Sequence, residues 1–223
     1  MDLFSANDGP RVLVIGPGLM DRPGHENLVD TTSHGQDWNR ALSPFALGPV
    51  PLYGGRRALR MENGWQFAKV YADQVDEAGE PTRDYWRWAE AGWASSLAQR
   101  YPRGKGVKPV YSLWQDEKLD YLQARQRIYW PLYRDAVAKT SAFERLAAML
   151  ERDGVVTLFD FDGRTVASLG DAILDPRRPM GHAFVLKAML LYGPSVTVEE
   201  VLRREPPTQA FEAPAARRQR ALF

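Results

Sequence analysis

Three polar side chains recur along one short segment of the chain. Glu62, Gln66 and Lys69 are four and then three residues apart, which places a carboxylate, an amide and an amine on one face of a helix. In a cleft, such a carboxylate and amine shift one another's pKa and can exchange protons with a substrate. Trp65 and Phe67 flank them, and aromatic walls beside a few polar groups are typical of small-molecule pockets. A solvated helix face is the alternative interpretation of this spacing.

Two further acids and a histidine lie late in the chain. Asp160 and Asp162 end the apolar run 155–161, which predicts a buried strand, and a carboxylate at a strand end can reach a cleft. Asp-Gly is also an ordinary turn dipeptide, so Asp162 fits a turn as well as a site. His182 follows Gly181 at the start of an apolar helix, where a histidine serves either catalysis or the core and helix cap.

A basic loop with two glycines spans residues 100–108. Its cations are Arg100, Arg103, Lys105 and Lys108. Four positive charges with backbone freedom suit a pyrophosphate or a few backbone phosphates, and the number is small for a protein that holds long duplexes. A solvated charge run is the alternative.

The chain offers no metal-binding pattern. Its three histidines, His25, His34 and His182, share no ligand-like spacing with one another or with paired carboxylates. The absence of cysteine excludes disulfides, thiolate metal sites and cysteine nucleophiles. We therefore expect no metal and no cofactor.

The composition is that of a globular protein. With 223 residues, 44% hydrophobic and 26% charged, it excludes wholesale disorder. The net charge of +1 provides no whole-molecule attraction to a polyanion, so any nucleic-acid contact would be local. No apolar run approaches the roughly 18 residues of a membrane span, and no basic leader precedes one. We expect a cytoplasmic protein without a membrane partner; its oligomeric state stays open.

The hydrophobic pattern predicts alternating short strands and helices. The predicted elements are a strand at 11–15 closed by the turn 16–18, an irregular or hairpin-like segment at 42–60, helices at 61–72, 82–97, 118–137, 140–152 and 180–192, and the strand at 155–161. Pro131 is expected to kink or divide the helix at 118–137. Ser141 with Glu144 predicts a capping box, and Thr197 with Glu200 caps a last short helix.

These elements predict one domain. We expect a mainly helical α+β domain over residues 1–205 with a few short strands, since no internal repeat and no interdomain linker interrupts it. Residues 206–223 mix Pro, Ala and Arg without a period, which predicts a mobile basic tail.

Two segments resemble the NADAR superfamily of N-glycosidases. The turn Leu42-Ser-Pro-Phe45 and the helix Met61-Glu-Asn-Gly-Trp-Gln-Phe-Ala-Lys69 match its first block, with Pro44 and Asn63 in place of an asparagine and a histidine. Arg125 with Ile128, the run Thr157-Leu-Phe-Asp160, and Gly181-His182 are similar to its later blocks. The tryptophan-glycine pair expected after the late acid is absent. The chain looks like a divergent branch, close to uncharacterised bacterial and phage proteins, so we expect the cytoplasm of a bacterium or of a phage-infected host.

The resemblance implies a set of site residues. Glu62 would bind the ribose hydroxyls or stabilise an oxocarbenium ion, while Asp160 or Asp162 positions water. Lys69 would lower the pKa of a neighbouring carboxylate or contact phosphate. The substrate-binding residues implied are Ser43, Phe45, Asn63, Trp65 stacked on the base, Gln66, Arg103 and Lys105 on pyrophosphate, Arg125, Gly181 and His182.

Three functions follow from this resemblance and from the polar residues. The first is a hydrolase that cleaves an N-glycosidic bond in an ADP-ribosylated guanine or a nucleotide-like substrate, without a cofactor. The second is an enzyme that tailors a modified, guanine-like base of the 7-deazaguanine type in phage DNA. The third is an ADP-ribose- or nucleotide-binding module without catalysis, since binding and catalytic pockets use the same residue types. The expected partner is accordingly a nucleotide-like small molecule or a modified base in nucleic acid.

Overall fold

The fold combines short strands with helices. A computed structural model describes residues 9–19 and 24–211. The strands within these residues are β1 (Arg11–Ile15), β2 (Leu28–Asp30), β3 (Val50–Pro51), β4 (Arg57–Ala58), β5 (Lys69–Val70), β6 (Tyr111–Trp114), β7 (Glu117–Leu119) and β8 (Val155–Phe159). The helices are α1 (Met61–Gln66), α2 (Arg83–Trp93), α3 (Tyr121–Ala124), α4 (Trp130–Val137), α5 (Ser141–Asp153), α6 (Leu169–Leu174), α7 (His182–Tyr192) and α8 (Val198–Arg204). The predicted α+β class is confirmed.

A three-stranded parallel sheet combines the first two strands of the chain with its last strand. Its order is β1-β8-β2, with Arg11 opposite Val155 and Leu28 opposite Thr157. Every residue of β8 is buried, as expected for a central strand that α5 and α7 cover. Because the three strands are parallel, the residues that follow β2 and β8 emerge at the same edge of the sheet.

Two antiparallel units complete the strand content. β3 and β4 form a hairpin inside the segment predicted to be irregular or hairpin-like. β5, β6 and β7 form a second three-stranded sheet in that order. Lys69 on β5 pairs with Ser112 on β6.

Helix α7 is the centre of the core. Its residues from His182 to Leu186 are all buried, and it contacts β1, β8, α4 and α6. A helix that is apolar on nearly all sides is one that other elements surround. One contiguous core thus links the sheet to the helices.

The predicted helix at 61–72 is wrong in its second half. α1 ends at Gln66, the backbone leaves the helix at Phe67, and Lys69 lies in β5. The pairing of Lys69 with β6 supplies the backbone with hydrogen bonds that the helix would otherwise have made. Tertiary pairing therefore overrides a helical periodicity that was present in the sequence.

The predicted helix at 118–137 is also modified. Its first residues belong to β7, and a π-helical turn at Arg125–Tyr129 separates α3 from α4. Pro131 is the second residue of α4 and follows the π-helical turn directly, while the backbone on both sides of that turn stays right-handed helical. The predicted division of the segment thus coincides with this π-helical turn, where the regular α-helical hydrogen bonding is interrupted next to the proline.

Two helix starts were predicted from capping patterns. The cap of α5 is Thr140 and not Ser141, because the Thr140 hydroxyl accepts the Phe143 N–H at 3.2 Å. The capping box of Thr197 and Glu200 at α8 is confirmed. A threonine one residue earlier offers the same hydroxyl acceptor, which explains the shift.

The last described residues lie against α6. Thr208 donates its N–H and its hydroxyl to the carboxylate of Asp171, both at 2.8 Å. The ring of Phe211 lies 5.6 Å from the guanidinium of Arg177. Residues 212–223, which hold the rest of the predicted tail, lie outside the described residues. No helix in the described part of the chain is long and apolar enough to cross a membrane.

Candidate functional site

A cavity of about 410 Å³ opens at the carboxyl edge of the parallel sheet. The segments that follow β2 and β8 form one side of it, and α1, the π-helical turn and the start of α7 form the others. Ligands of parallel sheets commonly bind outside the carboxyl ends of the strands. The sequence-predicted residues that line it are Ser43, Phe45, Glu62, Trp65, Gln66, Lys69, Arg125, Asp160, Asp162, Gly181 and His182.

A buried ion pair forms the floor of the cavity. Nδ1 of His182 lies 3.0 Å from Oδ2 of Asp160, and Nε2 lies 2.7 Å from the carbonyl oxygen of Thr31. A carbonyl oxygen only accepts, so Nε2 carries a proton, and the ring shares a second proton with the carboxylate through Nδ1. The pair thereby connects the residue after β2, the residue after β8 and the first turn of α7.

The carboxylate of Asp160 is fully engaged. Besides His182, it accepts the N–H of Asp162 at 2.9 Å and the N–H of Ala183 at 3.1 Å. Gly181 permits this arrangement, because a Cβ there would lie 2.3 Å from Oδ2 of Asp160. Asp160 therefore orders the start of α7 and has little capacity left to hold a water molecule.

The pKa shifts of this pair are those of an imidazolium and a carboxylate. Burial alone would raise the pKa of Asp160, but the charge and hydrogen bond of His182 and two backbone N–H groups lower it to about 2. Burial would lower the pKa of His182, but Asp160 and the Thr31 carbonyl raise it. Both shifts favour the charged form of the group, the imidazolium of His182 and the carboxylate of Asp160.

A chain of hydrogen bonds joins Glu62, Gln66 and Lys69. Gln66 donates from Nε2 to Oε1 of Glu62 at 2.7 Å and accepts from Nζ of Lys69 at 2.7 Å. Nζ of Lys69 also lies 4.6 Å from the centroid of the Trp65 ring. The hydrogen bonds of the described residues reach only Oε1 of Glu62, so Oε2 is available to a ligand.

Burial shifts the pKa of both ends of this chain toward the neutral form. The pKa of Glu62 is raised by burial, against the hydrogen bond from Gln66 and the charge of Lys69. Burial lowers the pKa of Lys69 to about 8, although the charge of Glu62 opposes this. The amine of Lys69 therefore loses its proton closer to neutral pH than an exposed lysine does, which suits a group that transfers protons.

Arg100 and Asp162 form a second ion pair at the cavity wall. Nη2 of Arg100 lies 2.7 Å from Oδ2 of Asp162. Burial raises the pKa of Asp162, and the charge of Arg100 partly offsets this. Oδ1 of Asp162 accepts no hydrogen bond from the described residues, so this carboxylate keeps one oxygen for a ligand or a water molecule.

Arg125 lines the cavity but its guanidinium is engaged by the backbone. It donates to four carbonyl oxygens in the segment from Ala172 to Arg178, at 2.7–3.0 Å. These carbonyls end α6 and begin the following loop, so the charge compensates a helix C-terminus. Its place in the structure is that of a buried support for the cavity wall.

Ser43, Phe45 and Trp65 close other parts of the cavity. The Ser43 hydroxyl accepts the N–H of Phe45 at 3.3 Å, which fixes the turn that precedes the hairpin. The Trp65 ring packs edge-on against Tyr129, with centroids 5.4 Å apart. The Tyr129 hydroxyl stays protonated, because burial and the charges of Glu62 and Asp160 raise its pKa well above the ordinary value.

Three predicted residues lie away from the cavity. The buried amide of Asn63 donates to the carbonyls of Gly92, Ser95 and Leu97 and accepts the N–H of Gln99. Arg103 pairs with Asp73. Lys105 is exposed and does not line the cavity. Asn63 instead fixes the segment that leads to Arg100, and Arg100 is the cation of the basic loop that reaches the cavity.

Several cavity residues were not anticipated. They are Thr32, Ser33, His34, Tyr101, Tyr121, Tyr129 and Phe161. The first three follow β2. This strand has only three residues, and no local sequence pattern indicates that it pairs with β8. Among residues 9–19 and 24–211, no group of three or more His, Asp or Glu side chains is placed to hold a metal ion.

Comparison with known protein families assigns the chain to one of them. A family model described as a family of unknown function (DUF6939) matches residues 18–186, more than half of the chain. The chain belongs to the DUF6939 family. The matched residues contain every cavity residue named above, so the cavity lies within the DUF6939 region. No curated protein and no solved structure matches the chain with significant similarity.

Proposed function

We propose that this DUF6939 protein hydrolyses an N-glycosidic bond in an ADP-ribosylated guanine or a nucleotide-like substrate. The observation that carries the proposal is the carboxylate of Glu62, which is 4% exposed, lines an aromatic-walled cavity and keeps one oxygen unengaged. The resemblance of its segment to the NADAR superfamily supplies the class of reaction.

The charge distribution suits the breaking of a C–N bond. As that bond breaks, positive charge develops on the sugar, and a carboxylate held in a buried cavity stabilises it more strongly than one in water. In the ionised form Glu62 provides that charge, with Gln66 holding its other oxygen. The amine of Lys69, whose pKa is about 8, provides a proton for the departing base.

In this proposal Asp162 activates the attacking water molecule. Asp160 is bound by His182 and two backbone N–H groups, whereas Asp162 has one oxygen without a hydrogen bond from the described residues. A water molecule held there would lose its proton to the carboxylate as its oxygen bonds to the anomeric carbon. The products are the free base and the sugar hemiacetal.

The deciding experiment uses guanosine that carries ADP-ribose on its base. Product masses are followed with the wild type, Glu62→Gln and Glu144→Gln, the last an exposed glutamate on α5. We expect release of ADP-ribose to fall about 100-fold or more in Glu62→Gln and to be unchanged in Glu144→Gln. The melting temperature of Glu62→Gln should not fall, because the substitution replaces a carboxyl group whose pKa burial raises with a neutral amide of the same size. Full activity in Glu62→Gln would remove the carboxylate from the mechanism.

A binding module without catalysis is the second candidate. It is favoured by the engagement of two of the three cavity carboxylates with cations, Asp160 with His182 and Asp162 with Arg100. Calorimetry with ADP-ribose together with the product analysis separates the two: tight binding without any released base supports the module. A base of altered mass would support base tailoring.

A further inference from the structure

Three exposed aromatic rings surround the mouth of the cavity. Tyr101, Tyr121 and Phe161 all line it, and their exposed fractions are 41%, 41% and 45%. The other large apolar side chains that are exposed in the described part of the chain are aliphatic. Exposed aromatic rings are therefore concentrated at this one place, which we call the aromatic rim.

Each ring of the aromatic rim is held by a neighbour. The guanidinium of Arg125 lies 4.6 Å from the centroid of Tyr121, and that of Arg100 lies 5.0 Å from the centroid of Tyr101. Phe161 makes edge-on contacts with His34 and Phe159, with centroids 5.5 and 5.7 Å apart. Rings that are already ordered lose little conformational entropy when a ligand stacks on them.

The backbone at Tyr101 gives an independent indication. Its φ is 60°, in the left-handed region that tyrosine rarely adopts. Glycine, asparagine or aspartate would form the same turn with less strain. Strained residues of this kind cluster at binding sites, where a side chain is needed at that position.

The aromatic rim exceeds what a single base needs. The resemblance to the NADAR superfamily implies that the base at the scissile bond stacks on Trp65, whose ring is 8% exposed and lines the cavity. The three more exposed rings are then left without a role. Aromatic rings bind flat, π-faced groups, and nucleobases stack on them without sequence preference. Arg100 lines the cavity beside Tyr101 and is a cation that can bind a phosphate there.

We propose that the ligand of this site carries a second nucleobase, joined to the first nucleoside through phosphate, and that this base stacks on the aromatic rim. The inference rests on the proposed function. The second base has two possible sources with the same chemistry: the adenine of an ADP-ribosyl group, linked through a diphosphate, or a neighbouring base in a single strand, linked through a phosphodiester.

Calorimetric titration of the full chain tests this with three probes. They are guanosine 5′-monophosphate, guanylyl-(3′→5′)-adenosine, and guanosine and adenosine joined through a 5′,5′-diphosphate. We expect at least one two-base probe to bind about tenfold more tightly than the monophosphate, as one stacked base would provide. Whichever of them gains affinity identifies the source of the second base.

Rim variants assign the gain to the rings. In Tyr121→Leu/Phe161→Leu the two-base advantage should vanish, with the affinity for the monophosphate within about twofold of the wild type. Tyr101→Asn, which suits the left-handed backbone, is a second variant that should fold at least as well and lose part of the advantage. Leu13→Ala and Leu28→Ala, exposed residues outside the cavity lining, should bind all probes as the wild type does.

The outcomes separate this inference from the proposed function. Equal affinity for all three probes, or an advantage that survives in the rim variants, overturns the second-base inference and leaves the glycosidase proposal intact. A protein that binds none of the probes also overturns the second-base inference, and the product analysis with ADP-ribosylated guanosine then decides the glycosidase proposal separately.

Discussion

At the scale of single residues, the candidate site is a set of charges placed where water is scarce. Glu62 and Lys69 are separated by Gln66, which bonds to both. The amide group of Gln66 thus links the carboxylate to the amine through two hydrogen bonds, one donated and one accepted. Burial then shifts both pKa values toward the neutral form.

The titration of Lys69 is a direct prediction at this scale. Its pKa should be about 8, because burial lowers it. In Glu62→Gln the pKa should fall further, since the carboxylate charge that raises it is removed. NMR of ¹³C-dimethylated lysines measures both midpoints. Lys118, whose pKa its hydrogen bond to Glu80 raises, serves as the internal reference. A midpoint that is unchanged in Glu62→Gln would contradict the coupling.

At the scale of elements, α1 and α2 position the site through one close contact. Gly92 on α2 lies against the ring of Phe67, the residue at which α1 ends, and a Cβ at Gly92 would lie 2.1 Å from Cδ1 of that ring. The ring is buried, so it has little space into which to move. The end of α1, and with it the direction in which Lys69 departs, depends on this packing.

Gly92→Ala tests that packing. Helix propensity alone predicts a gain of about 1 kcal/mol in the free energy of unfolding. We expect a loss of about 1–3 kcal/mol instead, because the added methyl overpacks the contact with Phe67. Urea unfolding measures the change. In Phe67→Leu/Gly92→Ala the two costs should not add, since the smaller side chain makes room for the methyl. Additive costs would show that the contact does not set the position of α2.

At the scale of the whole molecule, a buried ion pair joins segments that are far apart in the chain. His182 at the start of α7 connects to Asp160 after β8 and to the carbonyl of Thr31 after β2. The free energy of unfolding should therefore depend on pH through this pair. Folding raises the pKa of His182, so the pair contributes stability that is complete below about pH 6.5. This stability is lost as the pH rises through the raised pKa that His182 has in the folded protein.

Asp160 sets the acid side of the same dependence. Its pKa of about 2 gives stability that is present above about pH 4 and is lost as the pH falls through 2. The cost of Asp160→Asn should accordingly be greatest between about pH 4 and 6.5, at about 3–5 kcal/mol, because it leaves a buried imidazolium without its counter-charge. Urea unfolding at pH 5.5 and pH 9 measures it. Adding His182→Gln should recover part of the loss; equal costs at both pH values would contradict the assignment.

The sequence by itself determined what is local. The α+β class, the capping box of Thr197 and Glu200 and the positions of β1 and β8 follow from apolar periodicity and side-chain caps, which act over a few residues. Glu62, Gln66 and Lys69 were selected by spacing on a helix that ends before Lys69, yet their hydrogen-bonded chain forms because the return of the backbone into β5 keeps them close.

Only the tertiary structure decided which of the polar residues meet. The parallel pairing of β2 with β8 brings Thr31 to His182, and no local pattern contains that pairing. It also assigned Asn63 and Arg103 to structural contacts outside the cavity and brought Tyr121 and Phe161 to its mouth. Contacts between residues more than a hundred positions apart depend on the free energy of the whole core. The pattern within a single stretch of sequence therefore does not predict them.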